Sequence, residues 1–276
     1  MSPVEKDFYD YYFKYYNSFG LNAALYAEGR LLEAQRELKL VNRLNGLLAQ
    51  RPRKILILGC GTGGLCRAFR DYYQSEDLEV VAIDLDEEAI RLAFQYHGLQ
   101  DCKGVFLKVG DARHLNEKEQ YFDLVVSVSV LEHIPGWVRV LDEIKRVIKP
   151  NATLFLNVPN YQFPREPHYK ILAPTPLGKY LTGMWLRFLG RPIKPVDDLN
   201  FFTKKEVQLE LAKRFNVLVD LSDVMPRSTR DSWRGASALS NLAYILCERF
   251  GIRSTSEFLC SNTVAPSVDT NTHYLG

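Results

Sequence analysis

The four glycines within "ILILGCGTGG", residues 55–64, have a spacing that implies a bound ligand. Read as Gly59-x-Gly61-x-x-Gly64, the loop fits a dinucleotide fingerprint; read as Gly59-x-Gly61-x-Gly63, it fits loops that hold S-adenosylmethionine (SAM) equally well. Glycine lets the backbone turn tightly and approach a ligand without a Cβ in the way. Asp84, in "VVAIDLDEEAI", can accept both hydroxyls of an adenosine ribose, a role shared by NAD and SAM sites, and Leu85 beside it is a further candidate contact. Asp86 is the expected cap of the next helix. In "VGDARHL", Asp111 is positioned to take an adenine amino group, and the Ala112 backbone N–H to meet the ring. Acid–base candidates follow. "LEHIP" supplies Glu132 and His133, and a histidine titrates near the working pH of most enzymes. The competing reading is that both residues fix their loop by bonding to backbone. His168, in "PREPHYK", is a second base or substrate contact, or an ordinary surface histidine. No Asp/Asn cluster follows the fourth strand, so no metal is expected.

These residues need a scaffold that brings them to one end. β-branched runs at 54–58, 78–83, 105–109, 123–128 and 152–158 alternate with helical patterns at 64–73, 86–97 and 136–148. That order builds an α/β, doubly wound parallel sheet, whose ligands sit beyond the carboxyl ends of the strands. Thr203 and Glu206 form a capping-box signature for one more helix, followed by strand-like "FNVLVDL" and, at 242–250, "LAYILCERF". Three segments lie outside the series. Residues 1–50 hold the aromatic cluster "DFYDYYFKYYNSF" and an amphipathic stretch with Leu31, Leu38, Val41, Leu44 and Leu48, read as an N-terminal helical cap. Residues 160–200 interrupt the main domain, 51–250, with six prolines and "PLGKYLTGMWLRFLG". Residues 251–276 read as a flexible polar tail.

Composition narrows the class. The chain has 276 residues and a formal net charge of only +2, with Lys and Arg scattered, so nucleic acid is not the expected partner. Five cysteines without a C-x-x-C pair argue against a disulfide framework or a zinc site and suit a reducing cytosol. The N-terminus lacks the features of a signal peptide, and no apolar run approaches the roughly 20 residues of a membrane span. Expected localisation is cytoplasmic, peripheral to a membrane at most. Residues 165–195 carry six Lys/Arg against the single acid Glu166, interleaved with apolar side chains. A basic amphipathic stretch over 176–190 suits an anionic membrane or an apolar acceptor, or packs as a lid on the protein's own core.

Taken jointly, "LILGCGTG", the acidic end of the second strand, "GDA", "FDLVVSVSVLEHI" and "RVIKPNATL" resemble the class I SAM-dependent methyltransferases over about residues 53–160. The resemblance implies a Rossmann-like seven-stranded sheet of order 3-2-1-4-5-7-6 whose last strand is antiparallel, with "LAYILCERF" its candidate. It implies SAM as cofactor, held by Gly59, Gly61, Gly63, Asp84, Leu85, Asp111 and Ala112. Two positions depart from the family pattern. Ile57 stands where members often carry an acid facing the methionine end of SAM, leaving the amine to another group such as the Ser127 carbonyl; Asn151 replaces the first glycine of KPGG. The methyl donor is already activated, so the protein mainly orients the reactants, worth about 7–11 kcal/mol. A base for a hydroxyl acceptor would add about 10²–10⁴-fold. Motifs of nucleobase methyltransferases are absent, so the expected acceptor is a small molecule, a glycan or a lipid-linked compound, methylated at oxygen. An NAD-type oxidoreductase and a non-catalytic SAM-binding module are the alternatives.

Overall fold

The computed structural model describes residues 1–222, Cys247, Arg249 and 253–262. Its centre is a sheet whose strands are β1 (Lys54–Leu58), β2 (Glu79–Asp84), β3 (Val105–Val109), β4 (Phe122–Val128), β5 (Ile148–Pro159), β8 (Val217–Asp220) and β9 (Thr255–Ser261). They lie in the order β3-β2-β1-β4-β5-β9-β8. β1 to β5 are mutually parallel, and β9 runs antiparallel to both β5 and β8. This is the Rossmann-like order expected. The antiparallel strand, however, is not "LAYILCERF". Cys247 and Arg249 are helical, and the rest of 242–250 lies outside the described residues. The strand comes instead from "TSEFLCS", within the segment read as a tail. Serines and a charged Glu257 interrupt the apolar run and hide this strand in the sequence, yet six of its seven residues are buried, Glu257 by pairing with Arg43 and Asn157.

Alternation in β1 shows how the sheet is covered on both faces. Ile55 and Ile57 pack with Val41 and Leu44 of α3 (Glu33–Leu47), Phe69 of α4 (Gly64–Tyr73) and Ile90 of α5 (Glu87–His97). Leu56 and Leu58 face the opposite core, with Val140 and Ile144 of α6 (Val138–Val147) and Val207 and Leu211 of α9 (Lys204–Ala212). Side chains one residue apart point to opposite faces, so a fully apolar strand needs both layers. Helix starts follow local chemistry. Asp86 caps α5 by accepting from the Glu88 and Ala89 N–H groups, and Thr203 with Glu206 forms the capping box of α9.

At the N-terminus, α1 (Pro3–Ser18) and α2 (Ala23–Arg30) pack beside the C-terminal ends of the strands. The aromatic cluster divides its work. Phe8 and Tyr12 are buried near Leu92, with Phe8 stacked on Tyr96 of α5, and Tyr12, Tyr15 and Tyr16 line a cavity. The insertion after β5 forms a hairpin of β6 (Arg165–Glu166) and β7 (Ile171–Leu172), then α7 (Lys179–Phe188) and α8 (Lys194–Asp197). Its small core of Tyr169, Leu186, Val196 and Leu199 packs on Phe19, tying the insertion to the end of α1. No helix among the described residues is long and apolar enough to cross a membrane.

Candidate active site

The glycine loop joins β1 to α4 with Gly59, Gly61 and Gly63 all at positive φ, +65°, +51° and +86°. Two positions show why glycine is required. A Cβ on Gly59 would lie 2.2 Å from Val130 Cγ2, and one on Gly63 would lie 2.7 Å from Ala93 Cβ. Gly61 differs: nothing approaches its Cβ position within 4 Å, so this side of the loop is open. Asp84 braces it by accepting from the Gly61 N–H at 2.6 Å and, with its other oxygen, from the Asp86 N–H at 3.0 Å. Leu85 is exposed at the end of β2. Asp111 follows β3 but is clasped by Arg113, whose Nη2 lies 2.6 Å away and holds the carboxyl below its ordinary range. Ala112 beside it is buried.

A cavity of about 440 Å³ opens between the loop, the ends of β4 and β5, α1 to α3 and the β6–β7 hairpin. Gly59, Gly61 and Gly64 line it; Gly63, Asp84, Leu85, Asp111 and Ala112 do not, lying along and beyond the adjoining strand ends. Ser127 is wholly buried in β4, and Val128 and Ser129 reach the cavity in its place. Ser129 is held at φ +53°, a strained conformation for a non-glycine residue at the mouth of a site.

Glu132, His133 and His168 meet at the cavity's far wall. The first two sit on a single 3₁₀ turn, Leu131–His133. Asn200 locks that turn: its side-chain amide donates to the Leu131 and Ile134 carbonyls, and its backbone N–H to the Glu132 carbonyl. His168 comes from the hairpin tip, 35 residues on, and its Nε2 lies 3.3 Å from His133 Nε2. Its Nδ1 is 2.8 Å from buried Glu166, which also accepts from the Tyr169 N–H. A carboxylate there makes Nδ1 the donor, so that in the neutral ring Nε2 is the acceptor facing His133. The electrostatics differ among the three. Burial works against a charged His168, but the Glu166 hydrogen bond and charge outweigh it and raise its pKa. Loss of solvent, with His168 adjacent, lowers His133 to about 4. Burial pushes Glu132 up to about 7, and neither of its carboxylate oxygens has a hydrogen-bond partner among the described residues. Phe19 stacks on the His168 ring at 5.7 Å.

Sequence reasoning missed several residues of this wall. Glu166 and Asn200 carry no motif, and only the fold brings them to the turn. Glu33 was also missed. It is buried at the start of α3, accepts from Thr62 in the glycine loop and from Tyr12, and pairs with His97 at 3.0 Å and Arg30 at 3.4 Å. Its neighbour in the cavity lining, Glu37, is raised by burial.

Residues 56–156 match a family described as a methyltransferase domain. Among curated proteins, the chain is 31% identical to ajmaline N-methyltransferase of Rauvolfia serpentina over 39% of this chain and 36% of that one. It is 28% identical to the ubiquinone biosynthesis O-methyltransferase of Hahella chejuensis over 58% and 70%. The chain thus spans little more than a third of the ajmaline enzyme it matches. Among solved structures, geranyl diphosphate C-methyltransferase of Streptomyces coelicolor, in complex with Mg²⁺, geranyl-S-thiolodiphosphate and S-adenosyl-L-homocysteine, superposes with a TM-score of 0.54 at 16% identity, over 80% of this chain and 74% of that one. At that identity the likeness speaks for the fold. The matched segment and the sheet order coincide on the strands that carry the glycine loop: residues 56–156 are similar to a methyltransferase domain, set in a sheet with the strand order of the class I SAM-dependent methyltransferase fold.

Proposed function

We propose that the protein is a SAM-dependent O-methyltransferase acting on a small-molecule hydroxyl acceptor with an apolar, lipid-like body. One observation carries this reading: the open face of the glycine loop and the Glu132–His133–His168 cluster line the same cavity. The residues present fit SAM. The missing Cβ contact at Gly61 leaves room for a ligand, and the Asp84 carboxylate borders it at a strand end suited to ribose hydroxyls. Leu85 and Ala112 would flank the adenine, and Asp111 would reach its amino group on rearranging its pairing with Arg113. The acid absent at Ile57 would be replaced by Glu37, which lines the cavity while Glu33 is engaged with Arg30 and His97. When bound, SAM supplies a methyl group activated on a sulfonium.

The chain's own residues then favour oxygen as the acceptor atom. A neutral amine needs no base, whereas a hydroxyl gains from a group that polarises it and receives its proton. Glu166 orients the His168 ring with Nε2 toward His133 and favours its charged form, whereas His133, depressed to about 4, is the ring left neutral at physiological pH. Tyr15 and Tyr16 of the N-terminal segment line the same cavity, and Phe19 stacks on the His168 ring. The apolar body is suggested by α7 and the turn before it, where Leu177, Tyr180, Met184 and Phe188 are exposed beside Lys179 and Arg187. Such a surface suits delivery of an acceptor from an anionic membrane.

Calorimetric titration with SAM and with NAD tests the cofactor assignment. SAM binding that weakens about 10–100-fold in Asp84→Ala is expected from the loss of a charged hydrogen bond. An acceptor screen with phenols and prenyl alcohols, followed by location of the new methyl group, tests the oxygen assignment. NAD binding without SAM binding would end the proposal, and methylation at nitrogen or carbon would end its oxygen part.

A further inference from the structure

The wall that holds Glu132, His133 and His168 satisfies a stricter description than a polar patch. One ligand atom from each lies within 4.8 Å of the others. The two imidazole Nε2 atoms are 3.3 Å apart. Two nitrogens bound at zinc's usual bond length in a tetrahedral site are separated by about 3.3 Å. The geometry points to a divalent transition-metal site formed by Glu132, His133 and His168, with its remaining coordination position open to the cavity. This deepens the methyltransferase reading of the cavity and rests on it for its purpose.

Three further features fit a metal site. Glu132 is wholly buried, yet both its carboxylate oxygens are without hydrogen-bond partners among the described residues. A buried carboxylate needs a compensating charge or donor, and His133 Nε2, at 3.9 Å, is too distant to hydrogen-bond. Second, Glu166 accepts from His168 Nδ1 at 2.8 Å, the carboxylate–imidazole arrangement that commonly orients a metal-binding histidine and presents its Nε2 lone pair. Third, the ligands stand on supported backbone. Asn200 pins the 3₁₀ turn by three hydrogen bonds, and Phe19 stacks on His168. The absence of an Asp/Asn cluster after β4 concealed the site, because its third ligand arrives from the hairpin.

The donor set selects the ion. Two imidazoles and one carboxylate favour zinc, cobalt or iron(II) over magnesium and calcium, which take oxygen ligands, and the lack of thiolates disfavours copper(I). Three protein ligands with one open position form the pattern of a reactive site, whereas structural zinc sites close all four. With the cation bound, both Nε2 lone pairs are occupied, and polarisation of the acceptor hydroxyl passes from the histidines to the ion.

The test uses the full chain stripped with a chelator and then titrated with Co²⁺, read by visible d–d absorption, and with Zn²⁺ in competition against a chromophoric chelator. SAM affinity is measured on every sample as a check of fold. One equivalent of Co²⁺, displaced by Zn²⁺, is expected for the wild type. His133→Ala and His168→Ala should abolish stoichiometric binding, and Glu166→Gln should weaken it about 10–100-fold, all with SAM binding retained. If a histidine variant misfolds, Glu132→Gln tests the same site and should lose affinity for both ions. A wild type that binds SAM but takes up neither ion overturns the metal site and leaves the methyltransferase reading intact. Uptake that survives both histidine substitutions overturns it too. Metal binding without SAM binding would sustain the site and overturn the reading on which its purpose rests.

Discussion

The two ends of the cavity are built in different ways. Near the glycine loop the structure comes from backbone conformation on adjoining βα units: three positive-φ glycines, and an Asp84 carboxylate bonded to a Gly61 N–H only 23 residues away. At the far wall, side chains from distant segments meet. His133 and His168 are 35 residues apart, Asn200 reaches Ile134 across 66, and Phe19 from the N-terminal segment covers His168. On the proposed function, a nucleotide-like ligand would be held by local main-chain geometry, whereas acceptor chemistry would be assembled from what the insertion and the cap bring. The two ends should therefore fail independently.

The sharpest way to break that independence is at His168. Replacing it with Ala should lower turnover about 10²–10⁴-fold, the usual worth of a positioned acid–base group, while SAM affinity stays within threefold, roughly the scatter of a surface change. Glu166→Gln should follow with a smaller loss of about 10–100-fold, because it acts through the His168 ring. Single-turnover rates on the acceptor found by screening, paired with SAM titrations, separate the two effects. A parallel loss of SAM affinity in either variant would show that the ends are coupled.

Coupling, where it exists, should run through Glu33. This residue joins the cap to the glycine loop by accepting from both Tyr12 and Thr62. Burial would raise its pKa, but the hydrogen bond from His97 and the charge of Arg30 outweigh burial and hold it below its ordinary 4.5. A carboxyl depressed in the folded state stabilises it above the unfolded value and loses that contribution as pH falls through the folded value. Glu33→Gln should therefore cost about 1–3 kcal/mol at neutral pH, and its melting temperature should converge on that of the wild type in acid. Melting curves from pH 3 to 7 check this. Curves that stay parallel would place the acid-sensitive group elsewhere.

The same contrast explains what could be read without coordinates. β1 and β3 fall at their expected bounds, and Asp86 caps α5, because apolar runs and caps are local signals. Gly59 and Gly63 were legible because only glycine fits their φ and the space against Val130 and Ala93. Glu132, His133 and His168 could be named as candidates, but not the contact between them, since nothing in "LEHIP" points to a hairpin 35 residues away. Glu166 looked like the lone acid of a basic insertion, and its pairing with His168 depends on the hairpin register Glu166↔Ile171. The last strand was misassigned for a related reason: "TSEFLCS" buries a Glu whose partner, Arg43, lies on α3. Long-range ionic pairs erase the hydrophobic pattern that local reasoning depends on.

The smallest expected effect concerns α7, which lies outside both ends of the cavity. Tyr180 and Phe188 are about four-fifths exposed, at 79% and 80%, so neither supports the core. Replacing both with Ser should change stability by no more than about 0.5 kcal/mol and leave SAM affinity unaltered. On the proposed delivery of the acceptor from a membrane, binding to vesicles containing anionic lipid should nevertheless drop, because those rings would form the apolar half of the interfacial surface and leave its basic half, Lys179 and Arg187, untouched. Co-sedimentation at low and high salt separates the halves: the ring substitutions should lower binding at both, whereas salt should weaken the charge contribution alone. If the wild type ignores vesicles, or the double variant binds as well, α7 serves as a lid over the insertion's own core. Its exposed rings would then have to be explained by the acceptor itself, which should show a higher KM for the double variant at unchanged kcat.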